Sequence, residues 1–341
     1  MAQFRWTHLF TLNLNFLLTF LGGVFLGVLV YSLGIHEVLE HLGKIGPGWL
    51  SIGGQQILPL LANTAAWNYA FAPEERTVRF QDLLRMRLVG DGLNYLVPAA
   101  FAGEIYRINS LRRDMPLTRG AASVAMAKFN HFCAAIIFIA LGLTFAAPSA
   151  PLRPGLAPWL WAGLAVCLVL LGGFYLSLRR RLFEKAAARL QNWLPARLYA
   201  YLPTQLIEET DGLVVAYLAL DHRSMFASTA FYTLGWALGL VEIFLIFHFL
   251  GIAADLATLV MVETLSILLE IGLFFIPIKL GTTEGGRVLV FLALGLPAAA
   301  GLSFAIVRRL KELLWAGIGL AFVHTVPVVS HHQEVEHGQR V

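Results

Sequence analysis

Residues 129–152 read FNHFCAAIIFIALGLTFAAPSAPL and residues 154–178 read PGLAPWLWAGLAVCLVLLGGFYLSL, with only Arg153 between them. Neither run contains Asp, Glu, Lys or Arg, and each is long enough for a helix that crosses the hydrocarbon core of a bilayer, which takes about 20 residues. Three further runs lack charged residues in the same way, at 9–35, 45–73 and 288–307. The five runs together predict an all-α protein that crosses a membrane several times.

The composition of the whole chain agrees with this class. Hydrophobic residues make up 58% of the 341 positions and charged residues 13%, and the mean hydropathy is +0.70, values that a water-soluble domain of this size does not normally have. The net charge of +4 comes from basic residues in short segments between apolar runs, where such residues orient a membrane protein. Nucleic acid is therefore not the expected partner. The two cysteines lie inside apolar runs without motif spacing, so they predict neither a redox role nor a cofactor.

The order of apolar and charged segments predicts one transmembrane domain over residues 1–330 and a polar tail at 331–341, whose histidines are not expected to bind a metal. The first apolar run is too long for a signal-peptide core and is predicted to stay as a helix. Counting two interrupted segments as hairpins that dip in and return gives about seven crossings, within a range of six to eight. The N-terminus and the amphipathic segment 179–222, which opens with three arginines, are predicted to lie on the cytoplasmic side of the cell (inner) membrane. The expected helices lie near 9–34, 48–72, 120–147, 157–178, 224–250 and 256–278, with a last apolar run to 329.

Several carboxylates fall within or beside the apolar segments. A charged side chain at the centre of a membrane helix costs about 2.5 to 3.5 kcal/mol on insertion scales, so one that remains there is expected to face a partner or a wet cavity. A purely structural membrane protein would not need so many. The candidates are Asp91, Glu104, Glu242, Glu263, Glu270 and Glu284.

The chain matches itself at an offset of about 180 residues. Both copies read acid, six residues, Pro, five or six residues, Glu, two residues, Arg. The matched pairs are Asp91 and Glu270, Pro98 and Pro277, Glu104 and Glu284, Arg107 and Arg287, Pro116 and Pro297, Gly120 and Gly301, and Lys128 and Arg309. Interrupted segments at corresponding places in two halves indicate a transporter's binding site, so we predict an internal repeat with one hairpin in each half. The alternative is that short motifs recur by chance and that Glu-x-x-Arg is a helix-surface ion pair.

The stretch GDGLNYLVPAAFAGEIYRINSL at 90–111 contains N-x3-P-x4-GE-x2-R, and residues 277–286 contain P-x3-G-x2-EGG. This pair of motifs resembles the two signatures of the lysylphosphatidylglycerol synthase transmembrane domain family, which is also described as flippase-like, and the resemblance extends from about residue 10 to 326. It implies a protein that moves a lipid or lipid-linked molecule between leaflets. By similarity, the central substrate-binding positions are Asn94, Pro98, Gly103, Glu104, Arg107, Pro277, Gly281, Glu284, Gly285 and Arg287.

The resemblance also suggests roles for these residues. Glu104 and Glu284 would be the anionic centres of a groove for a lipid head group, and Arg107 and Arg287 its phosphate contacts. Around them Asp91, Glu263 and Glu270 would support the site or carry protons. The family's name-giving members carry a soluble aminoacyl-transferring domain that the 341 residues lack, so lysyl transfer by this chain is not expected. An enzyme of lipid biosynthesis is a conceivable partner, and the sequence does not specify an oligomeric state.

The alternative function is that of an intramembrane enzyme, either a hydrolase or protease or a lipid-modifying transferase. EERTVR at 74–79 fits the E-E-x3-R of prenyl-endopeptidase-like enzymes, and Phe244 with His248 fits their F-x3-H, but the chain has no His-x3-Asn. HEVLEH at 36–41 places Glu40 where the zincin motif requires its second His. No P-loop motif occurs either, so we expect a transporter without a complete catalytic motif.

Overall fold

The computed structural model describes residue 31 and residues 35–96, 101–190, 204–273 and 281–323. All regular elements in this part of the chain are helices. The predicted helix at 9–34, Pro98, Pro277 and the tail lie outside it, apart from residue 31. In chain order the helices are α1 (Ile35–Ile45), α2 (Gly48–Gln55), α3 (Ile57–Asn68), α4 (Phe80–Leu96), α5 (Ala102–Leu111), α6 (Leu117–Leu141), α7 (Ala157–Arg179), α8 (Leu182–Leu190), α9 (Thr204–Leu220), α10 (His222–Leu250), α11 (Leu256–Gly272), α12 (Thr282–Ala293) and α13 (Ala298–Ala321).

Three helices in the described part are long and apolar enough to cross a membrane. They are α6, which the π-helical turn Gly142–Ala146 extends, α7 and α10. The bundle buries 56% of the most apolar window of α6 but only 11% of that of α7. Because α7 turns most of its apolar surface outward, it belongs at the edge of the bundle, where a membrane-spanning helix contacts lipid.

The predicted second helix at 48–72 is not continuous. It divides at Gln56 into α2 and α3, and a 3₁₀ turn at Pro73–Glu75 follows. Pro59 has no N–H to donate to the carbonyl of Gln55, four residues earlier, and its ring crowds that carbonyl. The Gln56 N–H accordingly turns back to Gly53 O at 3.3 Å, three residues away. Sequence analysis missed this break because the run contains no charged residue.

The two halves that the offset relates share one order of elements. In the first half the long helix α4 is followed by the short helix α5 and the long helix α6, and in the second half α11, α12 and α13 follow in the same order. Pro116 and Pro297 directly precede α6 and α13, both in an extended conformation with ψ of 146° and 135°. A proline fits there because the first turn of a helix does not use its N–H groups. The matched prolines therefore begin equivalent helices.

Two apolar cores hold these helices together. One lies among α10, α12 and α13, where the rings of Phe247, Phe291 and Phe304 contact one another at centroid distances of 5.3 to 6.0 Å. The other lies among α3 to α6 and α9, and includes Trp67 and Phe71. The halves meet where α4 packs against α13, and Gly319 of α13 makes this close contact possible because a Cβ there would collide with Leu88 O.

Candidate functional site

Residues of the first motif hold α4 and α5 together where the two helices cross. Asn94 of α4 accepts a hydrogen bond from Gly103 N at 2.8 Å and donates one to Glu104 Oε1 at 3.1 Å. A Cβ on Gly103 would collide with Gly90 O, so both glycines are needed for the two helices to approach this closely. The crossing buries Glu104, which is 6% exposed.

Arg107 connects the acids of this half. Its Nη2 lies 2.5 Å from Asp91 Oδ1, and its Nη1 lies 3.6 Å from Glu104 Oε1. The guanidinium also lies over the Trp67 ring, 5.7 Å from its centroid. Lys128 of α6 reaches Glu104 from the other side, with its Nζ 2.5 Å from Oε1. The Glu-x-x-Arg unit is thus the centre of a buried ion-pair network that connects α4, α5 and α6.

The second motif begins α12. Gly281 adopts φ of +77°, a conformation that an L side chain rarely takes, and its N–H donates to Glu284 Oε2 at 2.7 Å. Gly285 follows inside the same buried turn. Glu284 Oε1 accepts from Arg309 Nε of α13 at 2.6 Å, and Arg309 Nη1 donates to the hydroxyl of Tyr95 in α4 at 2.8 Å. This chain of contacts joins the two halves of the molecule.

Among the described ion pairs, Arg287 does not contact Glu284, three residues before it, but two other acids. Its Nη2 lies 3.2 Å from Glu312 and 3.8 Å from Glu270, while the side chain is 3% exposed. Its Nε and Nη1 are buried, and neither donates a hydrogen bond to any residue that the structure describes. A buried guanidinium with unsatisfied donors is costly, so these atoms have the capacity to bind an added oxygen.

The two halves form the same ion pairs. In the first half the acid of the long helix pairs with the motif Arg, as Asp91 does with Arg107. In the second half the corresponding Glu270 lies 3.8 Å from Arg287, which also contacts Glu312 at 3.2 Å. The motif Glu then pairs with a base of the next long helix, Glu104 with Lys128 and Glu284 with Arg309. These bases are the ones that the sequence offset matches. Chance recurrence of short motifs would not produce two equivalent networks.

Sequence analysis missed a second buried cluster. Arg308 of α13 lies 3.4 Å from Glu242 of α10 and 3.1 Å from Glu263 of α11, and Lys311 lies 2.7 Å from Glu242. All four side chains are buried. Only the two acids had been noted from the sequence, because RRLKE at 308–312 reads as a short basic cluster. The apolar residues on both sides of it were the available signal that it lies within a bundle helix.

Arg87 was also missed as a site residue. Its Nη1 donates to Asn63 O at 3.0 Å, and its Nε lies 3.5 Å from Asp91. It faces a cavity of about 230 Å³ whose wall also carries two further cations and one carboxylate. The polar and aromatic lining consists of Trp67, Arg87, Asp91, Arg107, Lys128, His131 and Tyr232. This lining favours a small anionic group flanked by aromatic rings.

A second cavity of about 170 Å³ lies on the seam between α4 and α13. Asp91 lines both cavities, and its side chain is 49% exposed, whereas the paired Arg107 is 8% exposed. Tyr95, Lys311 and Glu312 line the second cavity. Asp91 is therefore shared by the two charged cavities.

The residues suggested for the alternative enzyme do not come together. Arg76, which follows Glu75, donates a hydrogen bond to Ser224 near the start of α10. His248 lies 24 residues farther along the same helix, a separation of about 36 Å. Within the described residues, no three His, Cys, Asp or Glu side chains form a group that could hold a metal ion.

An all-helical bundle with apolar spanning helices and charges enclosed between them defines a polytopic membrane protein. The sequence model of the family described as the lysylphosphatidylglycerol synthase TM region matches residues 15–319, and the chain belongs to that family. The predicted fold class and the resemblance drawn from the two motifs are thereby confirmed. Neither a search of curated proteins nor a search of solved structures gives a match.

Proposed function

We propose that this protein moves a lipid or lipid-linked molecule between the leaflets of the cell membrane, through the charged interior between its two halves. The observation that carries the proposal is the cavity beside the first motif, where Arg87, Arg107 and Lys128 face a single carboxylate, Asp91. In a membrane bundle such charges are costly to keep, and a head group that binds them accounts for their presence.

The cavity favours a head group that contains phosphate. Arg107 and Lys128 both contact Glu104, so this carboxylate holds the two cations at one side of the cavity. An arriving phosphate oxygen can accept charge-assisted hydrogen bonds from groups that are already held in place, which reduces the entropy lost on binding. Asp91, at the seam, lies where a positively charged part of a zwitterionic head group would find an anion.

The second motif supplies a different contribution. Glu284 is held by Gly281 N and Arg309, which leaves it little freedom to bind a ligand directly. Arg287 has two buried donors that pair with none of the described residues, and it remains the candidate phosphate contact of this half. Glu263 is enclosed by the Arg308 cluster and supports the bundle, whereas Glu270 lies beside Arg287.

Leaflet exchange in liposomes tests this function. Purified protein would be reconstituted with fluorescent phospholipids, and exchange would be measured for the wild type and for Arg107→Gln, Glu104→Gln and Arg287→Gln. Losing one hydrogen bond to a charged group costs about 1.5 to 3 kcal/mol, so exchange should slow roughly 10- to 150-fold in each variant. Arg113→Gln serves as the control because Arg113 is 43% exposed and pairs with Asp82 and Asp114 at the surface. Unchanged exchange in all three variants, with retained thermal stability, would remove these residues from the transport site.

The orientation is tested separately. We propose that the N-terminus and segment 179–222 face the cytoplasm, because the arginines at 179–181 continue directly from the end of α7. A cysteine introduced at Asn192 should resist an impermeant thiol reagent added to intact cells and react after permeabilisation. Labelling in intact cells would reverse the assigned orientation.

The alternative is an enzyme that modifies a lipid at the same cavity. Incubating the liposomes and analysing the lipids by mass spectrometry separates the two functions. Transport leaves every lipid mass unchanged while its leaflet changes, whereas a hydrolase or transferase gives a new mass that disappears in Arg107→Gln.

A further inference from the structure

A groove of about 580 Å³ runs along the outside of the bundle between α7, α11 and α12. Its wall consists of one face of each helix, over residues 159–170, 265–272 and 286–293. Every lining side chain is apolar or a glycine. This groove lies apart from the charged cavities.

The dimensions of the groove match one leaflet of a membrane. On α7 the lining extends from Trp159 to Leu170, and the eleven steps between these residues rise about 16 Å along the helix. The hydrocarbon core of a bilayer is about 30 Å thick, so each leaflet contributes about 15 Å. One extended hydrocarbon chain of a membrane lipid therefore has the length of the groove.

The two ends of the groove differ in character. At one end Trp159 is 76% exposed, and the loop before α7 is tied to the end of α12 by a hydrogen bond from Arg153 N to Ala293 O at 3.0 Å. An exposed tryptophan at a helix end is typical of the membrane surface. At the other end the lining residues Gly272 and Gly286 lie within two residues of Glu270 and Arg287. The groove thus leads from the membrane surface to the ion pair of the second half.

We propose that this groove binds one hydrocarbon chain of a membrane phospholipid, which then stands beside the Glu270–Arg287 pair. Water does not fill an apolar groove that borders hydrocarbon. The open side of the groove faces outward beside α7, the helix that is least buried of the three that can span a membrane. The identification of the bound lipid as the transported one rests on the proposed function, whereas binding of the chain does not.

Glycines make the groove testable without disturbing the fold. A Cβ on Gly272 would meet no atom within 4 Å, and one on Gly163 would lie 3.6 Å from Leu268, an ordinary contact. Gly272→Leu and Gly163→Leu should therefore fill the groove while favouring the helices that carry them. Gly172→Leu is the matched control, since Gly172 also meets nothing within 4 Å and does not line the groove.

The binding experiment uses nanodiscs that contain a trace of phosphatidylcholine with a photoactivatable diazirine on one acyl chain. After illumination and proteolysis, mass spectrometry should locate adducts on groove residues such as Leu268 and Leu289. Filling the groove should lower their yield about tenfold, an effect that the loss of two buried methylene contacts would produce. The Gly172→Leu control should keep the wild-type yield. Adducts spread evenly over α7, or a yield that the filling variants leave unchanged, would overturn the proposal.

The competing occupant that the experiment must distinguish is the first apolar run of the chain, at 9–35. Cysteine pairs that join Leu289 to successive positions of this run would detect it, and efficient disulfide formation would overturn the assignment of the groove to lipid. Leaflet exchange, measured on the same protein variants reconstituted in liposomes, separates the two proposals. Adducts in the groove without exchange would refute transport and leave the chain-binding site standing, whereas exchange without adducts would do the reverse.

Discussion

Arg308 should be the side chain whose loss destabilises the bundle most. It lies in α13, is 7% exposed, and contacts Glu242 of α10 and Glu263 of α11. Replacing it with methionine keeps an unbranched chain of similar length and removes the charge. Both carboxylates then remain buried, and among the described ion pairs Glu242 retains its contact with Lys311 alone.

The expected cost of Arg308→Met is about 3 to 5 kcal/mol, the range for removing one partner of a buried ion pair. The cost arises because Glu263 loses the only cation that contacts it among the described ion pairs. Glu263→Gln in the same chain removes the uncompensated charge, so the double variant should regain a large part of the loss. Thermal unfolding in one detergent, followed by the loss of a monodisperse gel-filtration peak, compares wild type, Arg308→Met, Glu263→Gln and the double variant. A single variant as stable as the wild type, or a double variant that shows no recovery, would refute the structural role of the cluster.

Three further outcomes follow from the geometry. Gly103→Ala should cost about 1 to 3 kcal/mol in the same assay, because its Cβ meets Gly90 O, whereas Gly54→Ala, where nothing lies within 4 Å, should be neutral or stabilising. Asp221→Ala should cost about 1 kcal/mol because its carboxylate caps α10 by accepting from Ser224 N at 3.1 Å, and Asp221→Asn should restore most of it. Tyr95→Phe removes only the hydroxyl that Arg309 contacts, so it should change leaflet exchange more than stability if the seam between the halves moves during transport. Equal exchange by the wild type and Tyr95→Phe would argue against such motion.

The apolar runs were sufficient to predict the class of fold and the positions of the long uncharged helices. The predicted helices at 120–147, 157–178 and 224–250 agree with α6 and its π-helical extension, α7 and α10 to within a few residues. Long uncharged runs predict helices well in a membrane because no other local structure satisfies the backbone there. The break at Gln56 was beyond this reasoning, since Pro59 reads as one apolar residue among many unless its missing N–H is considered.

The sequence predicted which residues belong to the site but not which of them form ion pairs with one another. The offset of about 180 residues correctly matched Lys128 with Arg309, but it gave no reason to pair them with Glu104 and Glu284. Such partners lie on separate helices, and whether they face one another depends on how each helix is rotated about its axis. Apolar periodicity normally reports that rotation, and it is weak in helices that are apolar on all sides.

The charged network of the first half and the Arg308 cluster differ in what they leave accessible. In the first half the network leaves a cavity lined by three cations and one carboxylate, and Asp91 in that wall is half exposed. In the second half Arg308, Lys311 and the carboxylates that contact them close upon one another, and all are buried. Each cation of this cluster contacts a buried carboxylate, and buried pairs of this kind contribute little net stability but fix a unique packing. The cavity of the first half therefore has the composition of a binding surface, and the Arg308 cluster has that of the frame against which it is held. Arg287 remains the candidate contact of the second half, and Tyr95 and Arg309 join the two halves.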